Sequence, residues 1–385
     1  MIGKRLALVS LLVSLLLGLA WAEAGTVPKA AQLPVSIPFD FENNQIFLKV
    51  SVSGSRPVWF ILDSGASANV IDRDLARSLG MKTEGSKEGS GAGRGPVHIA
   101  FKKGVSYSLP GVTTRSETSY VIDLSGQPAL QGRQVGGILG YDFFQQYVVA
   151  VDYDSRVLTL HEPSSYHYTG NGDVLPFTLV KKTPHIKIQL TLAGIETAER
   201  EVLVDSGSGD AVDDDLLAQS PQRLEVVGGV GLGQEFRTTL GRAEAVRIGR
   251  FVLNQPVGAA GGVPLLGNEV LRRFHLIFDY SRLQLILEPN SQFGEPFVVD
   301  ASGLDLRWSR GFKTFVVHDV AQDSPAAEAG LQAGDLITSI NGQPAPAFTI
   351  EQVSRMLTGA GRQYRLGIQR GPKHIEVTIQ LRKRL

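Results

Sequence analysis

Apolar residues fall in short runs along this chain, and most runs alternate with polar positions at a period of two. Ile46-Phe47-Leu48-Lys49-Val50-Ser51-Val52 is one such run, preceded by Pro38-Phe39-Asp40-Phe41. Turn residues separate them, so both are predicted as strands. Two runs are apolar on both faces and end in the same tripeptide. Phe60-Ile61-Leu62 leads into Asp63-Ser64-Gly65, and Val202-Leu203-Val204 leads into Asp205-Ser206-Gly207. A strand apolar on both faces is a buried strand, and the glycine gives the backbone a tight exit. An aspartate at the end of a buried strand is costly unless something holds it. Two of them in equivalent places predict one shared site.

The repeat extends well beyond the tripeptide. Gly137-Ile138-Leu139-Gly140 is echoed by Pro264-Leu265-Leu266-Gly267, and the segment ending Val151-Asp152-Tyr153 by the one ending Phe278-Asp279-Tyr280. Each copy then carries Ser-Arg, an apolar strand and a closing Glu-Pro, at Glu162-Pro163 and Glu288-Pro289. Asp63 and Asp205 are 142 residues apart, whereas Gly140 and Gly267 are 127 apart, so the first copy is about 15 residues longer between its landmarks. The surplus is placed in the loop-like run from Tyr120 to Val135. The boundaries predicted from these landmarks are residues 35–163 and 173–290.

Asp72 to Gly80 reads as a short helix with acid in its first turn and Gly after its last. Asp213-Asp214-Asp215-Leu216-Leu217-Ala218 stands at the same place in the second copy. One helical turn cannot converge three adjacent side chains on one ion, so the acidic run is read as capping, not as a metal site. No metal or cofactor site is predicted elsewhere. A Gly-rich stretch follows in each copy, Gly89 to Gly95 and Gly228 to Gly233. Neither has the Gly-Lys-Ser/Thr ending of a phosphate loop. Both are read as hairpin tips, with Gly91, Gly93, Gly231 and Gly233 as candidate flap residues over a cleft; an ordinary flexible loop is the alternative.

Residues 297–385 have a different pattern. Phe315 to Val320 and Leu336 to Ile340 are strands, Ser324 to Leu331 is a capped short helix ending at Gly330, and Thr349 to Leu357 has helical period. Tyr364 to Gln369 and Ile375 to Leu381 close the region as strands.

Composition narrows the function classes. Lys plus Arg equals Asp plus Glu, 38 each, so no global charge argues for nucleic acid. The chain has no cysteine, which excludes disulfides, thiol chemistry and thiolate metal sites. The first 24 residues read as a signal peptide: Lys4 and Arg5, the apolar run Leu6 to Ala20, then small residues at Ala22 and Ala24. The expected location is therefore outside the cytoplasm, periplasmic or secreted, with an uncleaved N-terminal membrane anchor as the alternative.

Two carboxyls held a few ångströms apart cannot both ionise cheaply, so they share a proton and hold a base and an acid together. The serine after each aspartate offers a hydroxyl that can bond across to the other strand, and the next residue a bare backbone N–H. Apolar-apolar-Asp-Ser-Gly followed by apolar-apolar-Gly, here twice over residues 35–290, resembles the retropepsin/pepsin-like aspartic peptidases. The resemblance implies a mainly β, bilobal acid-protease-like pair of β-barrels, built as two fused retropepsin-type lobes. It implies catalytic Asp63 and Asp205 at the cleft floor, supported by Ser64, Gly65, Ser206, Gly207 and Ser208, and hydrolysis of a polypeptide substrate without a cofactor. Copy two has Ser208 where copy one has Ala66. A Ser208 hydroxyl bonded to the outer carboxylate oxygen is expected to leave the charge on Asp205 and the proton on Asp63.

Ser324-Pro325-Ala326-Ala327, Ala329-Gly330-Leu331, Gly334-Asp335 and Ile340-Asn341-Gly342 resemble a small α/β PDZ domain of the bacterial protease-associated kind. This implies a peptide-binding loop at Gly303, Leu304, Asp305 and Leu306 that accepts an extended peptide by its C-terminus. A domain serving only as scaffold is the other reading. The whole chain reads as an exported aspartic endopeptidase whose PDZ domain docks peptide or regulates the cleft. A PDZ-containing pseudoprotease that binds peptides without turnover is the alternative. No Gly-x-Ser-x-Gly or His-Glu-x-x-His supports a serine or zinc hydrolase. Oligomeric state is not legible.

Overall fold

The computed structural model describes residues 33–89, 91, 95–195, 197–228, 235–311 and 313–385. The predicted signal peptide and Gly93, Gly231 and Gly233 lie outside these residues. The chain is mainly β. In the first copy the strand Val58–Leu62 lies between Gln45–Val52, antiparallel, and Val135–Leu139, parallel. In the second copy Ala198–Asp205 lies between Thr183–Thr191, antiparallel, and Leu265–Gly267, parallel. Each aspartate thus ends a central strand flanked on both sides, which is why the run leading to it has no polar face. Phe60, Leu62, Val202 and Val204 are all fully buried. The glycine of the parallel neighbour is dictated by packing: a Cβ on Gly137 would overlap the Val70 carbonyl and the Phe60 ring.

The two copies are not separate bodies. A six-stranded sheet runs in the order Val35–Pro38, Val157–His161, Val148–Asp152, Phe274–Asp279, Gln284–Pro289, Asp173–Pro176, so three strands of the first copy join edge to edge with three of the second. Its central seam pairs Val149 with Phe278 and Val151 with Leu276. One apolar core spans both copies. The first copy also closes on itself, since Gln45–Val52 pairs with Val97–Leu109 at the far end of an eight-stranded sheet.

The Gly-rich stretches are flanked by paired strands in each copy: Gly89 opposes Val97 and Gly228 opposes Phe236. Two sequence expectations are corrected. The surplus of the first copy is not structureless, because it holds the short helix Gln127–Gln131. The helix expected at Asp213–Ala218 is one 3-10 turn, Asp215–Gln219, shorter and tighter than its counterpart Arg73–Ser78. Ser220 leaves that turn in extended conformation, so no second turn can propagate.

The C-terminal region has its own core. Its sheet runs Leu304–Trp308, Phe315–Val320, Leu336–Ile340, Gln363–Arg370, Lys373–Gln380. The helix Ile350–Leu357 starts with a capping box between Thr349 and Gln352 and buries Ile350, Val353 and Leu357.

Arg273 joins the second copy to the linker that follows it. Its side chain has no solvent exposure and pairs with Glu269 at 3.0 Å. Its guanidinium lies 3.8 Å over the Phe297 ring. Arg273 also donates to the carbonyls of Glu269 and Glu295, so its loss leaves those acceptors unpaired while Glu269 keeps Arg272 and Asn44. Arg273→Ala is therefore expected to cost about 1–3 kcal/mol in urea unfolding, and Arg273→Lys to recover only part, because an ammonium cannot reproduce the fork. A loss near zero for Arg273→Ala would contradict the role of this pair.

Candidate active site

The two Asp-Ser-Gly corners meet through their serines. Ser64 Oγ donates to Val204 O at 2.6 Å and accepts from Ser206 N at 3.0 Å. Ser206 Oγ donates to Leu62 O at 3.0 Å and accepts from Ser64 N at 2.9 Å. Both serines are buried, at 0% and 1% exposure, so their hydroxyls have no water to turn to and each bond is costly to leave unmade. The four bonds form a two-fold crossing that holds the strand ends together.

That crossing sets the carboxyls. A Cβ on Gly65 would lie 2.7 Å from Asp205 Cγ, and a Cβ on Gly207 would overlap the Asp63 carboxyl. Each acid therefore rests on the other copy's glycine, and only glycine leaves room. Asp63 and Asp205 lie close enough for each carboxyl to act on the other, and Gly207 N donates to Asp205 Oδ1 at 2.8 Å. Burial first, then the charge of Asp205, pushes the Asp63 carboxyl well above its ordinary value. Burial also raises Asp205, but the amides of Gly207 and Ser208 and the neighbouring Asp63 work against it. Both carboxyls are thus raised, Asp63 the more strongly, so the surroundings favour one shared proton on the pair with Asp63 as its preferred holder.

The expected agent of that split is corrected. Ser208 Oγ accepts from Asp210 N at 3.2 Å; backbone amides, that of Gly207 first and that of Ser208 last, and not the Ser208 hydroxyl, favour the charged Asp205. The amides are fixed by the turn, whereas the hydroxyl is drawn away by the next loop residue.

Several residues that sequence reasoning passed over complete the floor. Gln45 Nε2 donates to Gly207 O, and Asn44 Nδ2 donates to Gly209 O at 3.0 Å. Asn268, fully buried, donates to Ser206 O at 2.6 Å and Asn44 O at 2.8 Å, and accepts from Tyr153 Oη at 2.7 Å. Tyr280, the repeat partner of Tyr153, is 6% exposed. Its hydroxyl is pushed well above its ordinary value, by burial first and then by the neighbouring acid pair. The repeated Asp-Tyr pair was visible in the sequence as a repeat, but nothing there aims those rings at the acids.

The acidic run of the second copy diverges. Asp214 caps the 3-10 turn through Leu216 N at 2.9 Å and pairs with Arg200 at 2.6 Å. Asp215 accepts from Gly261 N at 2.9 Å. Asp213 accepts from Ala259 N at 2.8 Å and faces Asp210, and its carboxyl is raised well above the usual range, by burial first and then by the Asp210 charge. Capping thus describes Asp214, while Asp213 turns toward the dyad side. A separate group, Asp152, Asp154 and His275, brings its ligand atoms within 4.8 Å of one another. The ion pair of His275 with Asp152 at 3.2 Å, and the bonds of Asp154 to Ser291, account for that arrangement.

Of the candidate flap residues, Gly91 is described, between the paired strand ends Gly89 and Val97. The root of the second hairpin touches the C-terminal region. Glu235 pairs with Arg307 at 2.5 Å and with His318 at 2.8 Å. Arg237 reaches Asp319 at 3.3 Å. On the first copy's side, Gly132 packs so closely that a Cβ there would lie 2.5 Å from Trp308 Nε1. Leu304 and Leu306 line an apolar groove against Val353, Met356 and Leu357. Gly303 has φ +82°, and a Cβ there would overlap Ser324.

Comparison with known proteins bears on two segments of the chain. Residues 48–143 match the family model described as aspartyl protease, and residues 316–370 match that of a PDZ domain. The chain therefore carries an aspartyl-protease segment, retropepsin-like, followed by a PDZ domain. Among curated proteins it is similar to the periplasmic serine endoprotease DegP of Escherichia coli K12, 33% identical over 96 residues, 25% of this chain and 18% of that protein. It is also similar to the periplasmic pH-dependent serine endoprotease DegQ of the same strain, 38% identical over 65 residues, 17% of this chain and 14% of that one. A probable CtpA-like serine protease of Staphylococcus haemolyticus is 27% identical over 94 residues, 24% of this chain and 19% of that protein. The chain thus spans under a fifth of the length of these relatives. No helix among the described residues is long and apolar enough to cross a membrane.

Two outcomes follow from the site. Ser64→Ala and Ser206→Ala each leave a buried donor without its acceptor and are expected to cost about 1–3 kcal/mol in denaturant unfolding. In a double-mutant cycle their losses should be clearly non-additive; strict additivity would mean that the crossing does not act as a unit. The raised Asp63 also makes stability fall with pH. The folded state keeps a proton that an unfolded Asp, near 3.8, releases. Stability is fullest below that value and declines as pH rises toward the folded value. Asp63→Asn removes this decline, so its thermal midpoint should exceed wild type at neutral pH and converge with it in acid. Parallel curves would contradict the shift.

Proposed function

We propose that the chain is an exported aspartic-type endopeptidase. The observation that carries this is the Asp63–Asp205 pair, each acid resting on the other copy's glycine under a four-bond serine crossing. Asp205, charged, takes a proton from a water held between the carboxyls, and the water oxygen attacks the scissile carbonyl carbon. Asp63, protonated, donates to the carbonyl oxygen as its double bond opens. The tetrahedral intermediate is not attached to the protein. Its collapse returns a hydroxyl proton to Asp63 as the carbonyl re-forms and the C–N bond breaks, and the amine leaves with the proton that Asp205 had taken. The Ser64 and Ser206 bonds hold the two carboxyls in this register, and Ser208 contributes its amide to Asp205.

The match of residues 48–143 to the aspartyl-protease family supports the reaction class. The PDZ match supports a peptide partner for the C-terminal domain. The serine proteases among the relatives do not pass on their nucleophile, since this sequence has no Gly-x-Ser-x-Gly. A basic, then apolar, then small-residue N-terminus, together with relatives named as periplasmic, supports export.

Hydrolysis of a fluorogenic peptide library is measured from acid to neutral pH in wild type, Asp63→Asn and Asp205→Asn, with and without pepstatin. Each substitution is expected to lower kcat at least about a thousandfold, because neither carboxyl alone fills both roles. The wild-type rate should fall as pH rises through the Asp63 value. Activity that survives either substitution rejects the dyad, and peptide binding without turnover in wild type turns the assignment to a pseudoprotease.

A further inference from the structure

Where the second copy, the linker after it and the end of the C-terminal domain meet, the surface opens into a cavity of about 560 Å³. That volume falls in the range of small-molecule sites. Two cations line it: Arg242, at the end of the strand Phe236–Arg242, and Lys383, beyond the strand Lys373–Gln380. Neither has a carboxylate partner among the described residues. The one acid in the lining, Glu295, is already paired with Arg272 at 2.8 Å.

Arg242 is held in place without being neutralised. Its Nη1 donates to Gln255 O at 2.8 Å and to Phe297 O at 3.4 Å. Its Nε is buried and has no hydrogen-bond partner. A carbonyl oxygen accepts the N–H but brings no charge, and burial holds the guanidinium below its ordinary value. A fixed guanidinium with an unused Nε–H retains the edge that a carboxylate fits with two parallel bonds. The side-chain amide of Asn254, exposed at the same cavity, also has no partner among the described residues.

The apolar part of the lining is rigid. Phe293 stands edge-on to Phe251 and Phe274, with ring centroids 5.8 Å and 5.4 Å away. Val252 lies beside it in the cavity wall. A bare, strongly hydrated anion would leave this surface unused, whereas an anion with an apolar body covers it and gains by doing so.

We propose that this cavity binds a carboxylate attached to an apolar group, as at the last residue of a peptide or in a free N-acyl amino acid. The carboxylate sits with Arg242 and Lys383, and the apolar group lies against Val252 and Phe293. None of these residues belongs to the Asp-Ser-Gly corners or to the PDZ groove. A bound acid touches the second copy, the linker and the C-terminal domain together, so it ties the three. The site stands apart from the proposed hydrolysis, and its test reads binding alone.

The full chain carrying Asp63→Asn, to prevent cutting, is titrated by calorimetry at neutral pH. The probes are N-acetyl-leucine and a leucine-ended tetrapeptide, each as free acid and as amide, and inorganic phosphate. Each free acid is expected to bind at least about tenfold more tightly than its amide and than phosphate. The tighter of the two acids identifies the source of the ligand as a chain end or a small molecule. Arg242→Gln should weaken both acids at least about tenfold. Because Arg242 also holds two carbonyls, Asn254→Asp is the second variant: it puts a like charge at an exposed position and should weaken both acids at least about fivefold. Acid and amide binding alike, phosphate matching the acids, or no acid bound at about 10 mM overturns the proposal. So does acid binding that Asn254→Asp leaves unchanged.

Discussion

Two like-charged groups are held together against their own repulsion, and much of the described structure opposes that repulsion. Two carboxylates at hydrogen-bond distance repel strongly in a site walled by protein, and the cheapest relief is to keep one proton between them. The pair needs a frame that cannot spread, and the serine crossing supplies it. Its four hydrogen bonds lie where water does not compete, at residues with essentially no exposure. The glycines do the complementary work. A methyl group at Gly65 or Gly207 would displace the opposing acid, so the tripeptide is a single steric and electrostatic unit.

Such a frame cannot be built on two independently folding halves, and the structure does not build it that way. The shared six-stranded sheet joins three strands of each copy along the Val148–Asp152 and Phe274–Asp279 seam, and Asn44 and Gln45 of the first copy hold the corner of the second. The repeat is broken where the two acids must differ. Asn268 receives the Tyr153 hydroxyl, whereas the equivalent residue, Tyr141, meets Tyr280 as a ring at 6.0 Å. The first arrangement fixes the Asp205 corner through Ser206 O. The second surrounds Asp63 with apolar and phenolic groups, which favours its neutral form.

The sequence carried much of this, and the part it withheld has a physical cause. The central strands and both Asp-Ser-Gly corners were legible because burial on two faces leaves an unbroken apolar run. The partnership of Ser64 and Ser206 was legible as chemistry, since a buried hydroxyl needs a partner. What pattern cannot encode is direction. The Ser208 hydroxyl was free by sequence to reach Asp205, yet it bonds the Asp210 amide. Three adjacent aspartates looked alike, but an extended backbone at Asp214, φ −165°, sends neighbouring side chains to different partners. The helix Gln127–Gln131 was hidden inside a Gly- and Ser-rich stretch because one turn carries too few apolar positions to show a period.

The C-terminal domain is fastened to the rest by contacts of a different kind. Its apolar core is separate, and its attachments at the second hairpin are ion pairs around Glu235 and Asp319. Glu235 is about one-third exposed, and pairs of this sort contribute about 0–1 kcal/mol each. Burial works against the charge on Glu235, but hydrogen bonds from Arg307 and His318 hold its carboxyl below the usual range. The tie is therefore electrostatically favourable yet small beside the energy of either core. It is also placed on the groove strand itself, because Arg307 and Trp308 are consecutive residues that touch the second and first copies respectively. The two contacts stand at adjacent positions of one short strand, so they cannot shift independently of each other. A domain with its own core is thus held to the rest at one rigid element, by contacts that add little to the stability of either core.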